Sequence, residues 1–162
     1  MLTASLQANA QRNGEKTVTI RAATGEDVPA LVGLGMHFLG TVYRSVIVPD
    51  PVALETLALH LLAGEASTIL VAERDDDVIG MIGMLVYPHP MSGVRTAAEV
   101  MWFVREGARG SGMKLFRAAE TWARAQGAQQ LQMVAPNSAV GRVYQRLGFM
   151  PIEQLFQRSL LS

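Results

Sequence analysis

The sequence contains no cysteine. Disulfides, zinc thiolates and cysteine nucleophiles are therefore excluded, and any enzyme chemistry must proceed without a thiol on the protein. The same absence fits a reducing compartment, and a cytoplasmic location is the expectation. Long apolar runs are missing too: none approaches the ~18 residues of a membrane span, so no membrane partner is expected. The opening stretch, MLTASLQANAQRNGEKT, is polar and lacks the apolar centre of a signal peptide. Residues 1–16 read as a flexible tail ahead of a domain over 17–162. Excess charge of either sign is also absent. Fourteen Lys and Arg balance fourteen Asp and Glu, for a formal net charge of +0. No overall field draws in nucleic acid, which is not an expected partner, although a local patch stays open. The three histidines, His37, His60 and His89, stand far apart without ligand spacing. No metal is expected.

What is present is a globular composition, with 49% hydrophobic and 17% charged residues in 162. A chain of this length buries roughly two-thirds of its unfolded surface in one core. TVTIRAA (17–23) alternates as a strand does. TGEDVPALVGLGMHF (24–38) starts with Thr24 and Asp27 three residues apart, a helix-start pattern, and puts Ala30, Leu31, Leu34 and Phe38 on one face. In 50–64, Asp50 caps, Pro51 suits the first helical position and Gly64 follows the end. STILVAERD (67–75) and DVIGMIGMLVYP (77–88) form a predicted antiparallel hairpin around an acidic turn. AAEVMWFVRE (97–106) is a further strand. Residues 112–126 carry Leu115, Ala119, Trp122 and Gln126 at helical spacing, with Glu120 and Arg124 as an i,i+4 pair. QQLQMVA (129–135) is a strand, NSAVGRVYQRLG (137–148) a helix and QLFQRSLL (154–161) a closing strand. The predicted order is β-α-α-β-β-β-α-β-α-β. It implies an α/β fold with helices on both faces of a sheet.

One loop stands out. In Arg109-Gly110-Ser111-Gly112-Met113-Lys114 the glycines allow unusual dihedrals and close approach of a ligand. The helix that follows offers unpaired N–H groups and about half a positive charge at its start, and Arg109 adds a full one. Such a site cradles phosphate or pyrophosphate. A plain flexible connection is the alternative. Neither the Walker pattern nor GxGxxG is present. Glu99 is a carboxylate in the apolar run AAEVMWFV, placed either at an exposed strand end or toward a cleft. Turned toward a cleft it is a candidate general base for an amine, directly or through water. An ordinary Glu (~4.3) abstracts a proton from an ammonium (~10) only uphill, and burial would help by raising the carboxyl.

The aromatic and valine strand, the Arg-Gly-Ser-Gly helix start, the next strand and the helix NSAVGRVYQRLGF together resemble the GNAT superfamily, the Gcn5-related N-acetyltransferases. The resemblance spans roughly 17–161 and is sharpest over 97–150. The family's loop motif is Gln/Arg-x-x-Gly-x-Gly/Ala. Arg109 and Gly112 match, and Lys114 stands where a small residue is usual. Its later motif has Asn, Tyr seven residues on, then Leu-Gly-Phe, matched by Asn137, Tyr144, Leu147, Gly148 and Phe149.

The resemblance implies a mixed, mostly antiparallel sheet with splayed central strands. It implies acetyl-CoA as acyl donor, with its pyrophosphate on the backbone amides of Arg109, Gly110, Ser111, Gly112, Met113 and Lys114. The pantetheine arm would meet Asn137 and pair with the backbone of a bulged strand at Phe103 and Val104. Tyr144 would point at the thioester sulfur and Glu99 would stand near the acceptor. Helix capping alone accounts equally for Asn137, and core packing for Tyr144. The implied reaction is N-acetyl transfer to a primary amine by direct attack. A non-catalytic CoA-binding module is the alternative, and a toxin-like enzyme acting on charged tRNA is a further rival disfavoured by the balanced charge. A homodimer stays open. Segments 37–50 and 88–97 are expected to shape the acceptor pocket, within reach of His89 and Tyr43. The acceptor itself carries no readable motif.

Overall fold

A computed structural model describes residues 17–43 and 46–160. The expected tail over 1–16 lies outside them. The described chain divides between Gln132 and Met133 into two compact units. The first holds strands β1 (Thr19–Ala22), β2 (Ser67–Arg74), β3 (Asp77–Pro88), β4 (Arg95–Val104) and β5 (Gln130–Gln132), and helices α1 (Val28–Val42), α2 (Pro51–Ala63) and α3 (Ser111–Ala125). The second holds α4 (Ser138–Arg146). The sheet order is β1-β2-β3-β4-β5. All neighbours are antiparallel except β4 and β5, which are parallel.

Local chemistry accounts for the joints. Between the paired Arg74 and Asp77, Asp75 and Asp76 take φ of 54° and 62°. Two successive left-handed residues match the twist of a two-residue hairpin, and aspartate tolerates that region. Asp50 Oδ1 accepts the N–H groups of Val52 (2.9 Å) and Ala53 (3.4 Å), so it caps α2 as its sequence position predicts. Glu120 and Arg124 pair at 2.7 Å along α3.

Helices cover both faces of the sheet. Leu31 and Leu34 of α1 and Ala58 and Leu61 of α2 pack with Ile69, Val71, Val78 and Met81 as one buried cluster. The other face carries α3: a Cβ built on Gly80 would lie 3.3 Å from Leu115, whereas one on Gly83 would meet Leu61 of α2 at the same distance. Period-two alternation along β3 separates these two residues onto opposite faces. Fully burying a leucine such as Leu34 or Leu61 stabilises by about 1.5–3 kcal/mol, which makes these helices integral to the sheet.

The closing strand expected over 154–161 is not formed. Residues 151–160 have no regular structure, and Leu155, Phe156 and Leu160 are 96%, 85% and 84% exposed; residue 161 lies outside the described chain. The apolar residues fall in adjacent pairs, Leu155-Phe156 and Leu160-Leu161, rather than in period-two alternation, so the segment lacks the one-sided face that a half-buried strand needs. β5 is also shorter than the predicted 129–135.

The entry to α1 is pinned by ions. Arg21 on β1 donates through Nη1 and Nη2 to Asp27 Oδ2 and Oδ1 (2.8 and 2.9 Å) and through Nε to Glu73 of β2 (2.8 Å). Asp27, 8% exposed, also accepts the backbone N–H of Thr24 at 2.7 Å. The hydrogen bonds from Arg21 outweigh the burial of the carboxyl and lower its pKa from 3.8 to about 2. The folded value lies below the unfolded one, so this stabilisation is complete above about pH 4 and is lost as the pH falls toward about 2. Asp27→Asn should cost roughly 2 kcal/mol at neutral pH. In denaturant titrations at stepped pH, the gap between wild type and variant should close through that acid window and stay constant above it.

Candidate active site

β4 is out of step with its neighbours. Gly83 pairs with Met101 and Met84 with Glu99, which makes Val100 an extra residue, a β-bulge. On its other side, β4 pairs with β5 only through Thr96, Ala97 and Ala98. Beyond Ala98 the ladder between β4 and β5 does not continue, and β4 runs on to Val104 immediately before the loop.

Backbone direction decides which groups this stretch turns each way. The N–H of Arg105 donates to Ile79 of β3 at 2.9 Å. N–H and C=O groups alternate sides along a strand, so Phe103 also turns its pair toward β3, while Trp102 and Val104 turn theirs away from it. Which residues turn toward β3 depends on the register between the two strands.

Beyond Val104 the chain turns into α3. Gly110 is the N-cap, with φ 81°, a left-handed conformation that glycine adopts without penalty. Gly112 does not share it: it lies within the first turn of the helix, and a Cβ there would sit 3.6 Å from Trp102 and 3.7 Å from Val104. At those distances a Cβ makes ordinary contact, so a bulkier, branched side chain and not a methyl is what would crowd this turn. In that turn the Ser111 N–H is taken by Ala108 O (3.1 Å) and the Lys114 N–H by Gly110 O (3.2 Å). The N–H groups of Gly112 and Met113 have no carbonyl one turn earlier within the helix. Ser111 is fully enclosed, and its Oγ is buried with no hydrogen-bond partner among the described residues. An unmet buried hydroxyl costs about 1–3 kcal/mol. Arg109 and Lys114 are exposed. First-turn amides with no helical partner and two cations at a helix start fit a pyrophosphate.

Glu99, on the same strand, is half-buried. Its negative charge reaches Tyr43, at the end of α1, whose phenol is raised above its ordinary pKa by burial first and by Glu99 second. The ring of Tyr43 meets Phe38 edge-on at 5.5 Å; Phe38 lies 5.7 Å from Phe103, and Phe103 5.4 Å from His37. Trp102 packs on Phe116 of α3 with ring centroids 5.9 Å apart.

The second unit is described by itself. Asn137 Oδ1 accepts the N–H groups of Ala139 (3.0 Å) and Val140 (3.1 Å), so the helix cap is real and uses the oxygen, not the amide NH2. Tyr144 is buried; its hydroxyl donates to Val134 O at 3.3 Å and its ring lies 5.6 Å from Phe149. Gly148, at φ 91°, ends α4, and the N–H of Phe149 folds back to Tyr144 O at 3.0 Å.

The histidines stay apart in role. His60 is exposed in the last turn of α2, not enclosed by its leucines. His89 lies in the β3–β4 loop, where its N–H donates to Val94 O (2.8 Å) and its Nδ1 is buried without a partner among the described residues. Among the described residues no three His, Asp or Glu come together as a metal site, and no helix is long and apolar enough to cross a membrane.

Comparisons with known proteins agree with this geometry. An aminoglycoside N-acetyltransferase solved with CoA superposes with a TM-score of 0.75 at 18% identity, covering 91% of this chain and 98% of that one. An acetyltransferase from Clostridium acetobutylicum, solved with acetyl-CoA, gives 0.75 at 18% identity over 90% and 97%. A ribosomal-protein-alanine N-acetyltransferase from Brucella melitensis biovar Abortus 2308 gives 0.67 at 20% over 89% and 99%. At these identities the likeness is one of fold. A search of curated proteins finds no match. The family profile described as acetyltransferase (GNAT) family matches residues 40–149, more than half of the sequence and the whole of the bulged strand, the glycine-rich helix start and α4. The chain belongs to the GNAT acetyltransferase family.

Proposed function

We propose that the protein transfers the acetyl group of acetyl-CoA to a primary amine by direct attack, in the cytoplasm. The observation that carries this reading is that β4 runs on past the end of its ladder with β5 and straight into the first turn of α3. Backbone groups of Trp102 and Val104 that face away from β3 stand next in sequence to an anion cradle at residues 109–114. The cradle suits a pyrophosphate, and the strand suits the amide groups of a pantetheine arm, by the logic that adds a strand to a sheet. The thioester supplies the activated acyl group. This chain supplies alignment, which converts a bimolecular encounter into a positioned one.

Proton handling falls to two residues. Glu99 accepts the proton of the attacking ammonium, directly or through water. Tyr144, placed by the Asn–Tyr–Leu-Gly-Phe pattern, donates a hydrogen bond to the departing sulfur. Its hydroxyl now donates to Val134 O at 3.3 Å, at the long end for such a bond. Asn137 keeps its cap through Oδ1 and has its amide NH2 for the pantetheine arm. Lys114 adds a positive charge within a turn of the cradle. No protein-bound intermediate is needed.

Acetyl-CoA titration beside a CoA-release assay over a panel of amines tests the whole reading. Binding with no turnover on any amine would leave a non-catalytic CoA-binding module. Gly112→Val should weaken acetyl-CoA binding at least roughly tenfold by crowding the first-turn amides against Trp102 and Val104, with a small change in Tm. A folded variant of unchanged affinity would refute the cradle. Tyr144→Phe keeps the ring and removes the donor. It should lower kcat by about ten- to a hundredfold, the worth of a charge-assisted hydrogen bond, with acetyl-CoA affinity held. Wild-type kcat with chemistry rate-limiting would make Tyr144 a packing residue. Glu99→Gln should lower turnover most at low pH, where the amine is mainly protonated; a pH–rate profile that keeps its shape would take Glu99 out of the proton path.

A further inference from the structure

The outer face of α2 is unlike that of α3. A helix lying on a sheet turns an apolar face inward and a polar face to water. α3 does so: Leu115 and Ala119 are buried, while Lys114, Arg117 and Arg124 are exposed. α2 buries Leu54, Ala58 and Leu61, but Val52 and Leu59 on its opposite side are 68% and 50% exposed. At 3.6 residues per turn, Val52, Thr56, Leu59 and Ala63 fall in one stripe, and all four are exposed. Thr56 adds little polarity to it, because its hydroxyl donates to Val52 O at 2.8 Å within the same helix.

The stripe is spaced four, three and four, the seam by which one helix packs along another. In that frame Val52 and Leu59 are d residues, Thr56 and Ala63 are a residues, Glu55 is a g residue and His60 an e residue. Glu55 and His60 are the only titratable side chains within Pro51–Ala63. Both are exposed, and neither has an ion pair or a side-chain hydrogen bond among the described residues. In two parallel helices a g residue lies against the e residue that follows it in the partner helix. Glu55 and His60 stand in that relation. In an antiparallel pair the g residues share one side, and Glu55 would meet its own counterpart instead.

We propose that this face of α2 is the contact between two copies of the chain, their α2 helices parallel about a two-fold axis. Val52 and Leu59 pack on their counterparts, and the Glu55 carboxylate accepts a hydrogen bond from the imidazole of the partner's His60, twice by symmetry. A surface complementary to itself in both its apolar stripe and its charges is what a second copy recognises. None of the residues assigned to acetyl transfer lies on α2, so the inference stands apart from that reading. A helix of 13 residues on its own buries less than the roughly 1,200–2,000 Å² of a standard interface, so the dimer should form with a Kd on the order of 1–100 μM.

Sedimentation equilibrium of the intact protein over about 1–500 μM should show monomer and dimer exchanging within that range. Leu59→Glu sets a charge in the middle of the seam and should weaken association at least roughly tenfold, with Tm near wild type because the position is exposed. Glu55→Lys and His60→Glu, each alone, remove the pairing of opposite charges and should weaken association by roughly threefold to thirtyfold. The double variant restores an opposite-charge pair with the signs exchanged and should return the Kd to within about threefold of wild type, a recovery that damage to folding or to an unrelated surface would not give. A protein that stays monomeric across the range overturns the inference and leaves the face to another occupant. A dimer indifferent to Leu59→Glu, or charge variants that show no recovery when combined, also overturns it and puts the contact elsewhere.

Discussion

A strand inside a sheet spends its backbone hydrogen bonds on both neighbours, and the site in this protein depends on β4 running on beyond its ladder with β5. Its pairing with β5 stops at Ala98, and the extra residue Val100 bends it at the next step. From there to Val104 it runs on without β5 and leads into a helix start that favours an anion.

The surroundings of that stretch are rigid for ordinary reasons. One face of the sheet is closed by α1 and α2 through Leu31, Leu34 and Leu61, the other by α3 through Leu115. The ion network of Arg21, Asp27 and Glu73 ties the entry of α1 to β1 and β2. That anchoring matters at the far end of the same helix, where Phe38 and Tyr43 extend toward β4. A helix is stiff over fifteen residues, so fixing its start helps to fix the rings at its end.

Two charges of opposite preference are thereby separated along one strand. The end of β4 at Val104 opens on Arg109, Lys114 and the positive start of α3. Its middle carries Glu99, whose charge adds to burial in raising the Tyr43 phenol.

Local signals were enough for much of this. The Asp50 cap, the acidic hairpin turn, the faces of α1 and α3, the left-handed Gly110 and the stop at Gly148 each depend on a few adjacent residues, and a few adjacent residues announce them. The family pattern was legible in the same way, from Arg109 to Lys114 and from Asn137 to Phe149. What only the tertiary structure decided involves register and partnership. Which residues of β4 turn their backbone groups away from β3 follows from how the two strands align. Phe103 joins the rings of α1 because a helix distant in sequence packs over it. Residues 154–160 are rich enough in apolar side chains to suggest a strand and form none, because a ladder requires a second backbone that composition cannot encode.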